Sequence, residues 1–425
     1  MGIFEIGAFL IGLSAIFGYL NHKILRLPHT IGLVLIALAA SVTAIGADFV
    51  FPTVQISGLV TGVLHQIDFH ETLMHGMLSF MLFAGALHVD FSAFRDRAKA
   101  IAVMASVGTL VSTFVIGGSL WAVMGLLGTE VPFIWALVIG ALISPTDPVA
   151  VLGLFKTVSV PESLEAKMAG ESLFNDGIGV VVFTVVVAIA VQDGGHGGEM
   201  GAVDIMRLFL IEAVGGALLG YMAGYAGYRA MYHIDEHNLE VMITLAVVMV
   251  TYAVAIRLHM SGPLAMVVAG LLIGNEGMKF AVSENTRDHV KKFWSLADEI
   301  LNSILFLLIG LEVLVIAGND EHWIVAFVAI PIVLAARWLS VFIPISLLSR
   351  WESFTRGAVP VLTWGGLRGG IAVALALSLP RNEYKPLILN ITYAVVLFSI
   401  IVQGLTVKAL VEHLMPGGPD TREHP

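Results

Sequence analysis

Long apolar runs separated by short polar punctuation set the pattern of this chain from one end to the other. A helix of about 17–25 apolar residues crosses about 30 Å of hydrocarbon. Read against their punctuation, the runs predict thirteen helical spans, at about 3–20, 28–46, 68–90, 99–127, 131–156, 164–192, 204–231, 239–257, 259–275, 293–317, 321–348, 353–379 and 384–414. The stretch 48–67 is interrupted by Asp48, Pro52 and Gln55 and reads as a surface or re-entrant piece. The first run starts at Ile3 without a basic leader or a small-residue cleavage signature, so it is expected to be retained as a span.

Composition turns this pattern into a class. Of 425 residues, 57% are hydrophobic and 13% charged, with a mean hydropathy of +0.90. Soluble domains hold about 45–50% apolar residues even when glycine is counted. The expected fold is therefore an all-α polytopic membrane protein with membrane lipid as its surroundings. A net charge of -10 argues against nucleic acid as a partner, and the absence of cysteine removes disulfides and thiolate metal sites.

Charge distribution adds an orientation. With the N-terminus outside, 16 of the 22 Lys and Arg fall on the cytoplasmic side, among them Lys23, Arg26, Lys291, Lys292 and Lys408. Only Arg207, Arg257, Arg381 and Lys385 fall outside, while Arg337 and Arg368 lie within spans. That asymmetry follows the positive-inside rule and puts the C-terminus in the cytoplasm. The loops are short, and few polar residues follow the last span, so neither a soluble domain nor a cytoplasmic regulatory domain is expected.

Two spans carry helix breakers. In "ISPTDPVAVLGLF" Pro145 and Pro148 have no backbone N–H, which leaves the carbonyls of Ala141 and Ser144 without helical partners. In "TWGGLRGG" four glycines bracket Leu367 and Arg368. Irregular backbone at membrane depth must be buried in protein or line a water-filled cavity. The breaks occupy matching places, span five and span twelve, if residues 1–192 (spans one to six) and 239–414 (spans eight to thirteen) are two inverted repeats. Residues 193–238 then form a linking span and 415–425 a short tail. Paired interrupted helices of this kind point to the midplane site of a secondary transporter. Asp147 and Arg368 have the signs needed to compensate the exposed helix ends where the breaks cross.

Span six supplies the chemistry. In "GESLFNDGIGVVVF" Ser172 and Asp176 share one helical face, with Asn175 beside them, and Glu171 and Asn175 form the adjoining pair. A carboxylate, an amide oxygen and a hydroxyl suit a hard cation, with Thr146 and the freed carbonyls of span five completing the shell. An ionisable side chain in mid-membrane marks an ion or proton path. A buried carboxylate that holds either a cation or a proton, but not both, is enough for antiport. Asn175 in place of a second acid suggests one charge per cycle and electroneutral exchange. Glu171 is expected to pair with Arg337 of "LAARWLSVF", which would tie two helices together.

On "SPTDPVAV", "GESLFNDG" and "GGLRGGIAVALAL", supported by "FLLIGL" and "QGLTVKAL", the chain resembles the monovalent cation/proton antiporter family of bacterial NhaP-type proteins and eukaryotic sodium/hydrogen exchangers. The resemblance covers essentially the whole chain. It implies thirteen spans in an NhaA/NhaP-like antiporter fold, a homodimer in the cell membrane, and an ion site where spans five and twelve cross. It further implies Asp176 as the shared Na+ and H+ residue, Asn175 and Ser172 as site neighbours, Thr146 as a backbone ligand, Glu171 with Arg337 as a structural ion pair, and no cofactor beyond the transported Na+ and H+. One departure is Ala84 in "FAGAL", where many bacterial relatives carry an acid.

Other readings compete with this one. His65, His70, Glu71 and His75 do not stack on one helix face and read as solvated residues at a span entrance rather than a metal cluster. Asp298 and Glu299 read as interfacial, with a cytoplasmic entry funnel as the alternative. A membrane-embedded hydrolase using Asp147 and Asp176 lacks any further nucleophile or oxyanion motif. A gated channel lacks the expected rings of ligands, and within the exchanger class K+ is the alternative to Na+ or Li+.

Overall fold

The computed structural model describes residues 3–51, 58, 60–62, 76–89, 97–147, 160–193, 201–232, 234, 236–277, 284–316, 323–350, 354–355 and 357–415. The His65, His70, Glu71 and His75 group, Pro148, Lys156 and the tail from 416 onward lie outside these residues. Among those described the secondary structure is helical without a strand. Seven helices are long and apolar enough to cross a membrane, and three shorter apolar helices accompany them.

In chain order, α1 is Ile3–Leu20, continued by a π-helical turn Asn21–Leu25, and α2 is His29–Val50. The short α3 is Leu78–His88, α4 is Ala98–Leu126, and α5 is Phe133–Ile143. α6, Glu162–Asp193, carries the acids of span six. Span seven is built from α7 (Ala202–Leu210), a π turn and α8 (Gly216–Met231). Next come α9 (His237–Arg257) and α10 (Gly262–Leu272). α11 is Glu284–Ile316, nine residues longer at its start than the apolar run from 293 predicts, and α12 is Trp323–Leu348. Span twelve is two pieces, α13 (Ala358–Trp364) and α14 (Gly370–Ser378), and α15 spans Lys385–Leu414 through a π turn at Ser399–Gln403.

Local sequence explains the ends that matter. α5 starts after Pro132 and stops at Ser144, because the Pro145 ring cannot continue the ladder. α10 begins where the Ser261 hydroxyl accepts the Leu264 N–H at 3.3 Å, with Pro263 in the first turn.

Small residues set the helix spacing. Gly216, Gly220 and Gly224 of α8 lie against Ser261, Ala265 and Ala269, and a Cβ built on Gly220 would stand 2.3 Å from the Ala265 carbonyl oxygen. Close backbone approach of this kind is how membrane helices gain packing without a hydrophobic drive between them. α4 and α5 meet in the same way: a Cβ on Gly140 would fall 2.2 Å from the Thr113 carbonyl oxygen. Large apolar side chains such as Phe4, Ile11, Phe114, Met222 and Phe327 face outward. The buried interior gathers α2, α3, α5, α6, α10, α11 and the two halves of span twelve.

Candidate functional site

The two breaks meet. Residues Pro145–Asp147 leave the helical ladder after α5, residues Gly365–Gly369 join α13 to α14, and the Asp147 N–H donates to the Leu367 carbonyl at 2.8 Å in an isolated antiparallel bridge. A crossing of two unwound segments needs its loose backbone groups satisfied, since none can reach water in a hydrocarbon setting. The Ala141 carbonyl freed by Pro145 accepts the Ser144 hydroxyl at 3.0 Å. The Ser144 and Pro145 carbonyls accept Nη1 of Arg368 at 2.8 and 2.9 Å. Arg368, 2% exposed, is thus a cap on the electronegative end of α5.

The other break is treated alike. The Leu362 carbonyl, in the last turn of α13, accepts both Nε and Nη2 of Arg337, at 3.3 and 3.1 Å. A Cβ on Gly366 would lie 2.4 Å from Arg337 Nε, so only glycine lets the guanidinium reach this carbonyl. The same guanidinium forms a two-pronged pair with Glu171, Nη1 to Oε1 at 2.5 Å and Nη2 to Oε2 at 2.8 Å. Glu171 and Arg337 are 2% and 5% exposed. Their pairing ties α6, α12 and the end of α13 together, one more helix than the sequence reading foresaw.

α6 packs its polar face onto the first break. A Cβ on Gly179 would come within 2.3 Å of the Pro145 ring, which brings α6 hard against the unwound segment. The Thr146 N–H donates to Asn175 Oδ1 at 3.1 Å, and Asn175 Nδ2 donates to Thr146 Oγ1 at 2.8 Å. The Ser172 hydroxyl donates to the Thr146 carbonyl and lies 3.1 Å from Thr146 Oγ1. Asn175 Nδ2 also reaches Glu171 Oε1 at 3.4 Å. The amide and hydroxyl groups expected to face an ion therefore bind the backbone and side chain of Thr146 instead.

Asp176 differs from all of these. It is 6% exposed, and its Oδ1 has no hydrogen-bond partner among the described residues. The charges of Asp147 and Glu171 bear on it. Asp147 itself lies against Gly369, where a Cβ would stand 2.2 Å from its Oδ2, so its carboxylate sits at the electropositive start of α14. Asp298 is also within the electrostatic reach of Asp147. Because α11 begins at Glu284, Asp298 is well inside the helix rather than at its start. Ala84, the departure noted in the sequence, is 1% exposed on α3, and a Cβ on its neighbour Gly85 would lie 3.7 Å from Leu173 of α6.

Sequence reasoning missed a third support. In the π turn of α15, the Ser399 hydroxyl accepts the Arg368 N–H at 2.9 Å and donates to Gln403 Oε1 at 2.6 Å, while Gln403 Nε2 donates to the Trp364 carbonyl at 3.0 Å. These two side chains satisfy both flanks of the glycine-rich break. The polar spacing Ser-x3-Gln within an apolar helix was the available signal.

Comparison with known proteins agrees with this architecture. The family described as "Sodium/hydrogen exchanger, transmembrane" matches residues 12–413. The chain is 44% identical to the Na(+)/H(+) antiporter NhaP of Pseudomonas aeruginosa over 420 residues, 98% of each protein. It is 35% identical to the Na(+)/H(+) antiporter NhaH of Halobacillus dabanensis, covering 92% of this chain and 93% of that one. The sodium proton antiporter MjNhaP1 of Methanocaldococcus jannaschii superposes with a TM-score of 0.75 at 18% identity, covering 97% of this chain and 98% of that one, and so shares the fold. A family model that covers residues 12–413, with a relative 44% identical along 98% of the chain, places this chain in the sodium/hydrogen exchanger family.

Proposed function

We propose that this chain is a secondary transporter, not an enzyme, that exchanges one Na+ or Li+ for one H+ by alternating access, with both ions competing for Asp176. The observation that carries the reading is the unpartnered, buried Oδ1 of Asp176 beside the crossing. Mid-membrane carboxylates without a fixed partner mark ion and proton paths. The names of the relatives supply the ions. Ser172, Thr146 and Asn175 would supply further oxygens: turning the Ser172 hydroxyl away would free the Thr146 carbonyl for a cation. Glu171 with Arg337 ties the helices, and Asp147 with Arg368 neutralises the ends of α14 and α5. No resident cofactor is required.

The same reading takes residues 1–192 and 239–414 as inverted repeats joined by 193–238, with 415–425 as a tail. It sets the N-terminus outside and the C-terminus in the cytoplasm of a bacterial inner membrane, in a homodimer. The Lys and Arg asymmetry supports the orientation.

The test is cation-induced dequenching of a pH dye in proteoliposomes. Na+ should evoke proton movement in the wild type, Asp176→Asn should evoke none, and clamping the voltage should leave the rate unchanged. Protons compete with the cation, so the apparent KM for Na+ should rise by about tenfold per unit of falling pH in the competitive range, at constant maximal rate. Residual exchange in Asp176→Asn overturns the reading, and a response to K+ equal to that to Na+ reassigns the substrate.

A further inference from the structure

A second site lies where α1 turns into α2, away from the crossing. A cavity of about 770 Å³ opens there, lined by Tyr19, Asn21, His22, Lys23, Arg26 and His29 among others. We propose that this pocket binds the phosphate group of an anionic ligand, with the headgroup of an anionic phospholipid as the favoured source. The inference stands on the fold and does not depend on the exchange reading.

Its shape is built rather than incidental. Asn21 is buried to 3% exposure and closes the turn on itself, its Nδ2 donating to the Leu27 carbonyl at 2.9 Å and its Oδ1 accepting the Leu27 N–H at 3.3 Å. The Asn21 side chain is pressed onto Gly32 of α2, where a Cβ would stand 2.2 Å away. Arg26 is held at φ 55, a left-handed conformation that side-chain-bearing residues avoid. The Arg26 N–H donates to the Asn21 carbonyl at 2.6 Å, which fixes that conformation. Strain of this sort persists only where the surroundings impose it, and it collects at functional positions.

The chemistry of the lining is cationic and uncompensated. Lys23 and Arg26 form no ion pair among the described residues. Lys23 lies 5.7 Å from the centre of the Tyr19 ring, and its Nζ reaches the Tyr19 hydroxyl at 3.5 Å, so the ammonium is held over the pocket wall. Two cations and two imidazoles around a cavity match a phosphate. Tyr19 of the pocket wall and Ile24 and Leu25, between Lys23 and Arg26 in the turn, are 60%, 67% and 42% exposed and offer the acyl chains an apolar surface. A basic pocket between membrane helices with an apolar margin is the sequence-readable form of an anionic-lipid site. His29 Nε2 meets Ser303 Oγ at 2.8 Å, and Leu305, half a turn further along α11, packs on Gly370 at the start of α14. One helix thus runs from the pocket wall to the crossing.

The experiment is thermal unfolding of the purified full-length protein in neutral detergent, with phosphatidylglycerol, phosphatidylcholine or inorganic phosphate added. Phosphatidylglycerol should raise the Tm by several degrees and phosphatidylcholine should not, since a ligand of the native state stabilises by mass action. Arg26→Gly removes the cation while relieving the left-handed strain, so it should fold at least as well as wild type without lipid and lose most of the shift. Lys23→Gln/Arg26→Gly should lose all of it, and neutralising Lys291 and Lys292 should keep it. A shift from inorganic phosphate equal to that from phosphatidylglycerol supports the phosphate site and assigns it to a soluble ligand. An undiminished lipid response in Lys23→Gln/Arg26→Gly, or no discrimination between the two lipids, overturns the proposal.

Discussion

The turns of α6 around Glu171 and around Asp176 are five residues apart on one helix and almost equally buried. At the first, both carboxylate oxygens are engaged by Arg337. At the second, one oxygen has no hydrogen-bond partner among the described residues. On the proposed reading, burial does not separate the structural acid from the functional one; the partner does. A carboxylate locked to a guanidinium has nothing to exchange, whereas one left with an open oxygen can trade a proton for a cation.

Substitutions at the two acids should have opposite signatures. The largest effect is expected from Asp176→Asn, which should abolish exchange in proteoliposomes while leaving the Tm equal to or above that of wild type, because no partner loses its counter-charge. Glu171→Gln should do the reverse in kind: removing one member of a buried pair costs about 3–5 kcal/mol, seen as a large fall in Tm and in folded yield. Glu171→Gln/Arg337→Gln should recover part of that loss, and no recovery would show that the Arg337 bond to the Leu362 carbonyl outweighs the ion pair.

Smaller effects should come from the crossing itself. Arg368→Gln strips two carbonyls of their donor, each an expected loss of about 1–3 kcal/mol, and should lower Tm and turnover together. Ser172→Ala removes the donor to the Thr146 carbonyl and should cost about 1 kcal/mol. If Ser172→Ala instead raises the KM for Na+ with the Tm unchanged, its hydroxyl acts on the ion rather than on the break.

Much of this was legible in the primary structure, and the reasons are local. Proline and glycine act on their own backbone, so "ISPTDP" and "GGLRGG" announce breaks without knowledge of the neighbours. Four-residue spacing put Ser172 and Asp176 on one face, and the sign of an otherwise lone Arg337 pointed to Glu171. What stayed hidden depends on contacts between distant segments. The double use of Arg337 requires α13 to end beside α12. Asn175 looked free because its partner, the Thr146 backbone, lies 29 residues away. Ser399 and Gln403 gained meaning only when the π turn brought them under Arg368. The helical extension of α11 back to Glu284 could not be read from hydropathy, because its first turns are polar and precede the apolar run.

The bridge from the Asp147 N–H to the Leu367 carbonyl joins the two breaks backbone to backbone, and the two bonds from Arg368 to the Ser144 and Pro145 carbonyls join them again. Sliding one break past the other would break all three, at about 0.5–1.5 kcal/mol each or more for the charged donor. If exchange proceeds as proposed, the least costly way to switch the exit from one compartment to the other keeps these bonds, and those from α6 to Thr146, and shifts that unit against the remaining helices.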